Sequence, residues 1–235
     1  MKFCIISAGR AGKVFFPVDV DALVVPAGEA ALYSSCYPHL RIISQPSRGV
    51  SDARNAALDA FTDHDLVQLD DDVSEIGEFV PLANGKNRLS PLSQEQIRER
   101  FELCFQYVKA VGTVLWGVSP TSNPIFYNPK FPISPRSFIN GSCSGYVRKT
   151  PVRFDSALAL KEDYDYTLKV LMTYGAVVRF NSLYGKARHR DNAGGACAYR
   201  TTELEQEAIC LLRSRWGKMI RKHPTRANEV VIHCG

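Results

Sequence analysis

The segment Leu66-Val67-Gln68-Leu69 runs directly into Asp70-Asp71-Asp72. A short, largely apolar run of this kind belongs to a buried strand. A buried strand that ends in three adjacent carboxylates crowds like charges at the rim of a sheet. A solvated acidic turn would disperse those charges into water. Alternatively, a hard divalent cation, Mg²⁺ or Mn²⁺, would neutralise them, taking one or two carboxylates together with phosphate oxygens of a substrate. In both readings the chain builds a sheet with one strongly negative point on its carboxyl edge.

The surrounding pattern says which kind of sheet. Apolar segments at 3–7, 22–26, 40–44 and 65–69 are expected strands. Helices are expected between them, over Glu29–Cys36 and Ser51–Phe61. In the second helix Ala53, Ala56, Ala57, Ala60 and Phe61 recur at helical spacing and offer a small-residue face to a sheet. This alternation is that of a parallel α/β sheet. Residues 74–92 mix Gly, Pro, Asn and Ser without periodicity and read as a loop leaving the acidic turn. Ser93 and Gln96 form a capping box for a helix over 94–110, with Ile97, Phe101, Cys104, Phe105 and Val108 as its apolar stripe. A buried strand is expected over Thr113–Val118. Five prolines between 119 and 137 exclude a regular helix there. A strand region at 138–147, a helix over Glu162–Tyr174, a strand at 176–180, a loop over Asn181–Arg200 and a helix over 202–216 complete the reading. At 235 residues, with no repeats or linkers, one domain is expected: a body over 1–200 and a C-terminal helix with a basic extension over 201–235 packed on it.

Composition narrows the setting. Hydrophobic residues make up 45% of the chain and charged residues 23%, ordinary for a globular protein. No apolar run is long enough to span a bilayer, and Phe3-Cys4-Ile5-Ile6 is too short for a secretory signal. The seven cysteines are scattered and contain no CxxC pair, which fits buried thiols in a reducing cytoplasm better than a zinc ribbon or disulfide framework. The net charge of +5 is uneven, because Arg213, Arg215, Lys218, Arg221, Lys222 and Arg226 crowd the C-terminal region. That crowd reads as a solvated helical face or as a contact for an anionic partner.

The two commonest phosphate devices are missing. Gly9-Arg10-Ala11-Gly12-Lys13 follows the first strand but is too short for a P-loop and lacks the Ser or Thr after the lysine; no G-x-G-x-x-G occurs. Instead the chain carries an ordered set: Gly49-Val50-Ser51-Asp52-Ala53-Arg54-Asn55, the acidic triplet, Glu162-Asp163, then His189 and Gly194-Gly195. The set resembles the GT-A glycosyltransferases, in which a G-x-x-x-A-R-N segment opens the helix before the strand ending in D-x-D. The loops after the first two strands, with Ser7, Gly9, Arg10, Pro26 and Glu29, are candidate nucleotide contacts, since ligands gather at the carboxyl ends of α/β strands. Tyr33 joins Glu29 as a candidate contact for the base.

The resemblance implies further roles. Asp72 would hold Mn²⁺ or Mg²⁺ beside the donor diphosphate, with the late His189 as a second ligand. Asp70 and Asp71 would lie beside the donor nucleotide, Asp70 reaching the ribose or the metal's water shell. Arg54 would bind the base or a phosphate, or pair with a carboxylate such as Asp72. Arg188, Arg190, Asn192, Gly194 and Gly195 would form a loop around the diphosphate. Asp163, with Glu162 as the other candidate, would be the base that deprotonates the acceptor hydroxyl in an inverting reaction. Structurally, both acids also favour the start of a helix through its dipole.

Over residues 3–196 the chain resembles a narrower group, the TET-associated glycosyltransferases. Its elements appear as Ser7 to Arg10, Val25 to Tyr33, Gly49 to Asn55, Leu69 to Asp72, Glu162 to Asp165 and Asn192 to Gly195. These small proteins of phage and related genomes accompany hypermodified DNA. The resemblance implies transfer of a sugar from a nucleotide-sugar, UDP-linked by expectation, to 5-hydroxymethylcytosine or a related pyrimidine in DNA. The basic C-terminal region would track phosphates, and Phe126, Tyr127 and Phe131 would wall the acceptor site or anchor their loop. A glycan, lipid-linked or protein acceptor, a nucleotidyltransferase, and a non-catalytic nucleotide- or DNA-binding module of the same fold are the competing readings.

Overall fold

The computed structural model describes residues 1–46, 49–188, 200–226 and 229–233. In chain order the first half comprises β1 (Lys2–Ile6), β2 (Ala22–Pro26), α1 (Ala30–Cys36), β3 (Arg41–Gln45), α2 (Val50–Ala60), β4 (Leu66–Asp70), β5 (Val73–Pro81), β6 (Asn87–Pro91) and α3 (Gln94–Ala110). The second half comprises β7 (Leu115–Ser119), β8 (Ile133–Ser134), β9 (Cys143–Tyr146), α4 (Glu162–Tyr174), β10 (Val178–Ala187), α5 (Thr202–Trp216), β11 (Ile220–Lys222) and β12 (Val230–Ile232).

Nine strands line up in the order β3-β2-β1-β4-β9-β7-β10-β5-β6, with β8 added against β10. β1 pairs in parallel with both β2 and β4, and β7 in parallel with β10. β9 runs antiparallel between β4 and β7, and β5 and β6 extend the sheet beyond β10 as an antiparallel meander. The result is the mostly parallel sheet flanked by helices that the sequence predicts. The central strands β1, β2 and β4 are largely apolar on both sides because both faces are covered there. Cys4, Ile6, Ala22, Val24 and Leu66 point into one buried cluster with α2, α4 and α5. Phe3, Ile5, Leu23, Val25, Val67 and Leu69 point into the other, with Phe101 and Phe105 of α3. The period-2 alternation of strand side chains accounts for the division.

Two expected loops are strands. Residues 74–92 fold as the β5–β6 hairpin, whose turn contains Asn84-Gly85 with Gly85 at φ +77°. An Asn-Gly pair between strand-forming segments is a hairpin signal that outweighs the missing alternation. Gly77, which blurs the pattern of β5, is required by packing: a Cβ there would stand 2.3 Å from the Tyr184 hydroxyl. Likewise 181–187 continues β10, because Leu183 to Ala187 find partners on β5. The capping box of α3 forms as expected, with Ser93 and Gln96 bonded reciprocally. The C-terminal region adds an antiparallel β11–β12 hairpin that no turn signal announces. Among the described residues no helix is long and apolar enough to cross a membrane.

Candidate active site

The order β2-β1-β4 makes the gap between β1 and β4 the point where connections leave in opposite directions, the usual place for a ligand crevice. Ile6 lies opposite Asp70 in the parallel register, so the residues after each strand are neighbours. Ser7 Oγ donates to Asp71 Oδ2 at 2.6 Å and the Arg10 guanidinium bonds Asp71 Oδ1. Tyr33, fully buried on α1, holds the same turn by hydrogen-bonding Ser7 Oγ at 2.7 Å and accepting the Arg10 amide at 3.0 Å. Glu29 accepts the Gly9 amide at 2.6 Å. Burial pushes the Asp71 carboxyl up to about 6, against the pull of Ser7 and Arg10. Asp71 therefore anchors the first loop to the acidic triplet, and Ser7, Arg10 and Tyr33 are tied into that anchor. Pro26 closes β2 on the same sheet edge.

Arg54 projects from α2 under the other side of the triplet and is 2% exposed. Its Nη2 donates to Asp70 Oδ1 at 2.9 Å and its Nε to Glu162 Oε1 at 3.0 Å. The carboxylate partners are thus Asp70 and Glu162, not Asp72. Gly141 caps the guanidinium so closely that a Cβ there would stand 2.5 Å from Nη2. The same glycine donates its amide to Asp163 Oδ2 at 3.2 Å, and its neighbour Ser142 accepts the Asp70 amide at 2.9 Å. One loop, 140–142, therefore links the acidic triplet to the acidic pair. Burial, then the adjacent Glu162 charge, pushes the Asp163 carboxyl up to about 7. Burial also raises Asp70, with the charges of Asp72 and Glu162 adding to it and Arg54 opposing.

The acidic pair reaches this point through a strained turn. Lys161, at the N-cap of α4, has φ 61° and ψ 28°, a left-handed conformation that costs a non-glycine residue on the order of 1–3 kcal/mol. Asp165, in the same first turn, is fully buried but faces away from this chemistry: Trp216 Nε1 donates to it at 2.9 Å, and Lys169 pairs with it at 2.7 Å.

Asp72 is buried beside Arg10, 4.0 Å from its guanidinium. Its carbonyl accepts the Arg188 amide at 2.9 Å, which brings the end of β10 to the triplet, and the Arg188 guanidinium lies 5.2 Å over the Phe15 ring. His189, Arg190, Asn192, Gly194 and Gly195 lie outside the described residues. As a set of hard oxygen donors, Asp70 and Asp72 fit Mg²⁺ or Mn²⁺, which take few protein carboxylates and complete their shell with phosphate and water. No three acidic, histidine or cysteine side chains gather into a metal cage among the described residues.

A model of the TET-associated glycosyltransferases matches residues 2–195. The chain belongs to that family. No protein of curated function matches it in sequence. Solved structures with a similar outline include S. aureus TarS 1-349 in complex with UDP, at 11% identity and TM-score 0.48 over 91% of this chain and 66% of that one. They also include a second structure of S. aureus TarS 1-349, at 12% identity and TM-score 0.47 over 91% and 66% of the two chains. Another is glucosyl-3-phosphoglycerate synthase from Mycobacterium tuberculosis in complex with Mn²⁺, UDP and glucosyl-3-phosphoglycerate, at 14% identity and TM-score 0.46 over 94% and 83% of the two chains. The chain spans just under two thirds of the TarS chains it resembles.

For this family member, three site features escape the sequence. Gly141 sits in an aperiodic polar tripeptide, and nothing local says that it will cover an arginine 87 positions earlier. The left-handed Lys161 carries no glycine or asparagine to announce it. Asp165 belongs to the E-D-x-D match but serves the packing of α5. Of the expected acceptor wall, Phe126 and Phe131 are exposed, whereas Tyr127 stacks on Phe79 with ring centres 5.0 Å apart.

Proposed function

We propose that this chain is a metal-dependent, inverting glycosyltransferase that moves a sugar from a nucleotide-sugar, UDP-linked in the first instance, to the hydroxyl of a 5-hydroxymethylpyrimidine in DNA. The observation that carries the reading is the division of labour in the acidic pair: Glu162 is committed to Arg54, while Asp163, its neighbour, holds a carboxyl raised to about 7. A general base works best with a pKa near the operating pH. Asp163 accepts the hydroxyl proton as the acceptor oxygen forms its bond to the anomeric carbon. The bond from that carbon to the diphosphate oxygen breaks on the opposite face, and the nucleoside diphosphate leaves with the electron pair.

The remaining residues serve binding and orientation. Ser7, Gly9, Arg10, Pro26 and Glu29 shape the nucleotide side of the crevice, with Asp71 fixing the loop that carries them. Asp70 and Asp72 would hold the metal, which when bound offsets the charge of the departing diphosphate. His189 as a further ligand, and Arg188, Arg190, Asn192, Gly194 and Gly195 as a diphosphate loop, follow from the family resemblance. Family membership over 2–195 supports the reaction class, and the excess of positive charge supports an anionic acceptor.

The test is a transfer assay with Mn²⁺, a panel of UDP-sugars and hydroxymethylcytosine DNA, read by nucleoside mass. A sugar-sized gain that disappears in Asp163→Asn and Asp72→Ala supports the proposal. Donor hydrolysis without DNA modification would retain the glycosyltransferase and overturn the acceptor.

A further inference from the structure

From Ala208 to Asn228 the chain holds six arginines and lysines and not one acid. This stretch lies beyond residue 195, where the family match ends. It is nevertheless fastened to the fold at the helix that bears the acidic pair. Ala208, Ile209, Leu212, Ile220 and Val230 enter the same buried cluster as Tyr166, Leu168, Val170 and Leu171 of α4. Arg215 pairs with Asp155 at 2.6 Å and Trp216 with Asp165 at 2.9 Å. Tyr164, the residue after Asp163, donates its hydroxyl to the Val230 carbonyl at 3.1 Å, and its ring stacks on Phe138 with centres 4.1 Å apart. The β11–β12 hairpin is therefore seated on the first turn of α4, one residue from Asp163.

Of the six cations, Arg213 is half-buried on α5 and the other five divide into two groups. Arg215 and Arg226 are paired, with Asp155 and Asp165 and with Glu229 respectively. Lys218, Arg221 and Lys222 are exposed and form no ion pair among the described residues. Arg215 and Trp216 thus do the fastening, and the three others present unneutralised charge to solvent on a short, rigidly rooted strand and its approach. We propose that Lys218, Arg221 and Lys222 form the docking surface for the phosphodiester backbone of the acceptor nucleic acid, holding it against the mouth of the site at the start of α4. Charges fixed on a secondary-structure element position a polyanion, whereas base identity must be read elsewhere. The inference rests on the DNA-acceptor reading above and adds where the acceptor backbone is held.

The experiment uses the full chain carrying Lys218→Gln, Arg221→Gln and Lys222→Gln together. Binding to a hydroxymethylcytosine duplex is followed by fluorescence anisotropy at a series of salt concentrations, beside transfer kinetics and donor hydrolysis. If each side chain neutralises one phosphate, the slope of log affinity against log salt becomes shallower by about 2.7, at about 0.9 for each contact. This corresponds to a roughly 40-fold smaller loss of affinity over a fourfold rise in salt. KM for DNA rises, kcat stays within about twofold, and donor hydrolysis is unchanged, since uniform binding is lost but no transition-state contact. A triple variant that binds and turns over DNA with the wild-type slope and KM overturns the inference while leaving the DNA acceptor in place. A wild-type chain that hydrolyses donor but neither binds nor modifies DNA overturns both, as does salt-sensitive capture of a phosphate-linked glycan polymer in preference to the duplex. A Ser214→Ala variant, altered on the same element at an exposed and uncharged position, should keep the wild-type slope; a slope that falls equally in it would assign the effect to the fold and overturn the inference.

Discussion

Replacing Arg54 by methionine tests the core of the site, because the change keeps the length of the side chain and removes its charge. At 3.0 Å in an effective dielectric of about 20, a unit charge pair attracts by about 5 kcal/mol. The two partners are not equivalent. The Glu162 side chain is 9% exposed, so losing Arg54 strands a nearly dry carboxylate. The Asp70 side chain is 34% exposed and water recovers much of its loss. The cost is therefore dominated by Glu162 and should match that of breaking a buried pair, about 3–5 kcal/mol. At about 2–4 °C per kcal/mol for a chain of this size, the melting temperature should fall by roughly 6–20 °C. Denaturant melts of wild type, Arg54→Met, Glu162→Gln and the double variant give the cycle. If the stranded charge is the cause, Glu162→Gln in the Arg54→Met background should restore at least about 1 kcal/mol. Additive losses, or a melting temperature for Arg54→Met within a degree or two of wild type, would refute the reasoning.

Further outcomes follow from the same geometry. Asp163→Asn should lower kcat by about 10²–10⁴ with little change in donor affinity, whereas wild-type kcat/KM should rise with pH and level off above about 7, as a base of raised pKa requires. Because a carboxyl raised above its ordinary value binds more protons folded than unfolded, its contribution to stability is full below about 4 and fades as pH rises through about 7. Thermal melts of Asp163→Asn should accordingly gain on wild type at alkaline pH and not at acid pH. Gly141→Ala places a methyl 2.5 Å from an arginine pinned by two carboxylates, so an overpacking loss of about 1–3 kcal/mol is expected in chemical denaturation. Trp216→Phe removes the Nε1 donor from the buried Asp165, which keeps Lys169 and Arg215, and should cost about 1–3 kcal/mol while leaving donor hydrolysis intact.

What was legible in the sequence was what depends on periodicity and on local bonds. Strands buried on both faces gave unbroken apolar runs, as in Leu23–Val25, and the Ser93–Gln96 box marked the start of α3 to the residue. The β5–β6 hairpin hid because Gly77, Pro81 and Pro91 interrupt its alternation, while its turn signal, Asn84-Gly85, sat in plain sight. Among site residues, those named by type and order reached the expected edge of the sheet: the triplet, Arg54 and the acidic pair. Their pairings did not follow from type. Arg54 reaches Glu162 across 108 positions, a partnership set by how α2 and α4 share one face of the sheet. The same holds for Asp71, which sequence places with the nucleotide contacts and which spends both oxygens on Ser7 and Arg10.

The fastening of α5 has a consequence for how such chains are cut and compared. Kinship in sequence draws a boundary at residue 195, yet burial does not stop there, since Leu212 is fully enclosed and completes the cover over Leu168 and Val170. A fragment trimmed to the shared region would show water an oily strip along α4 and leave Asp165 without its indole partner. Such a fragment would clump rather than react, and its silence in an assay would be mistaken for a dead enzyme.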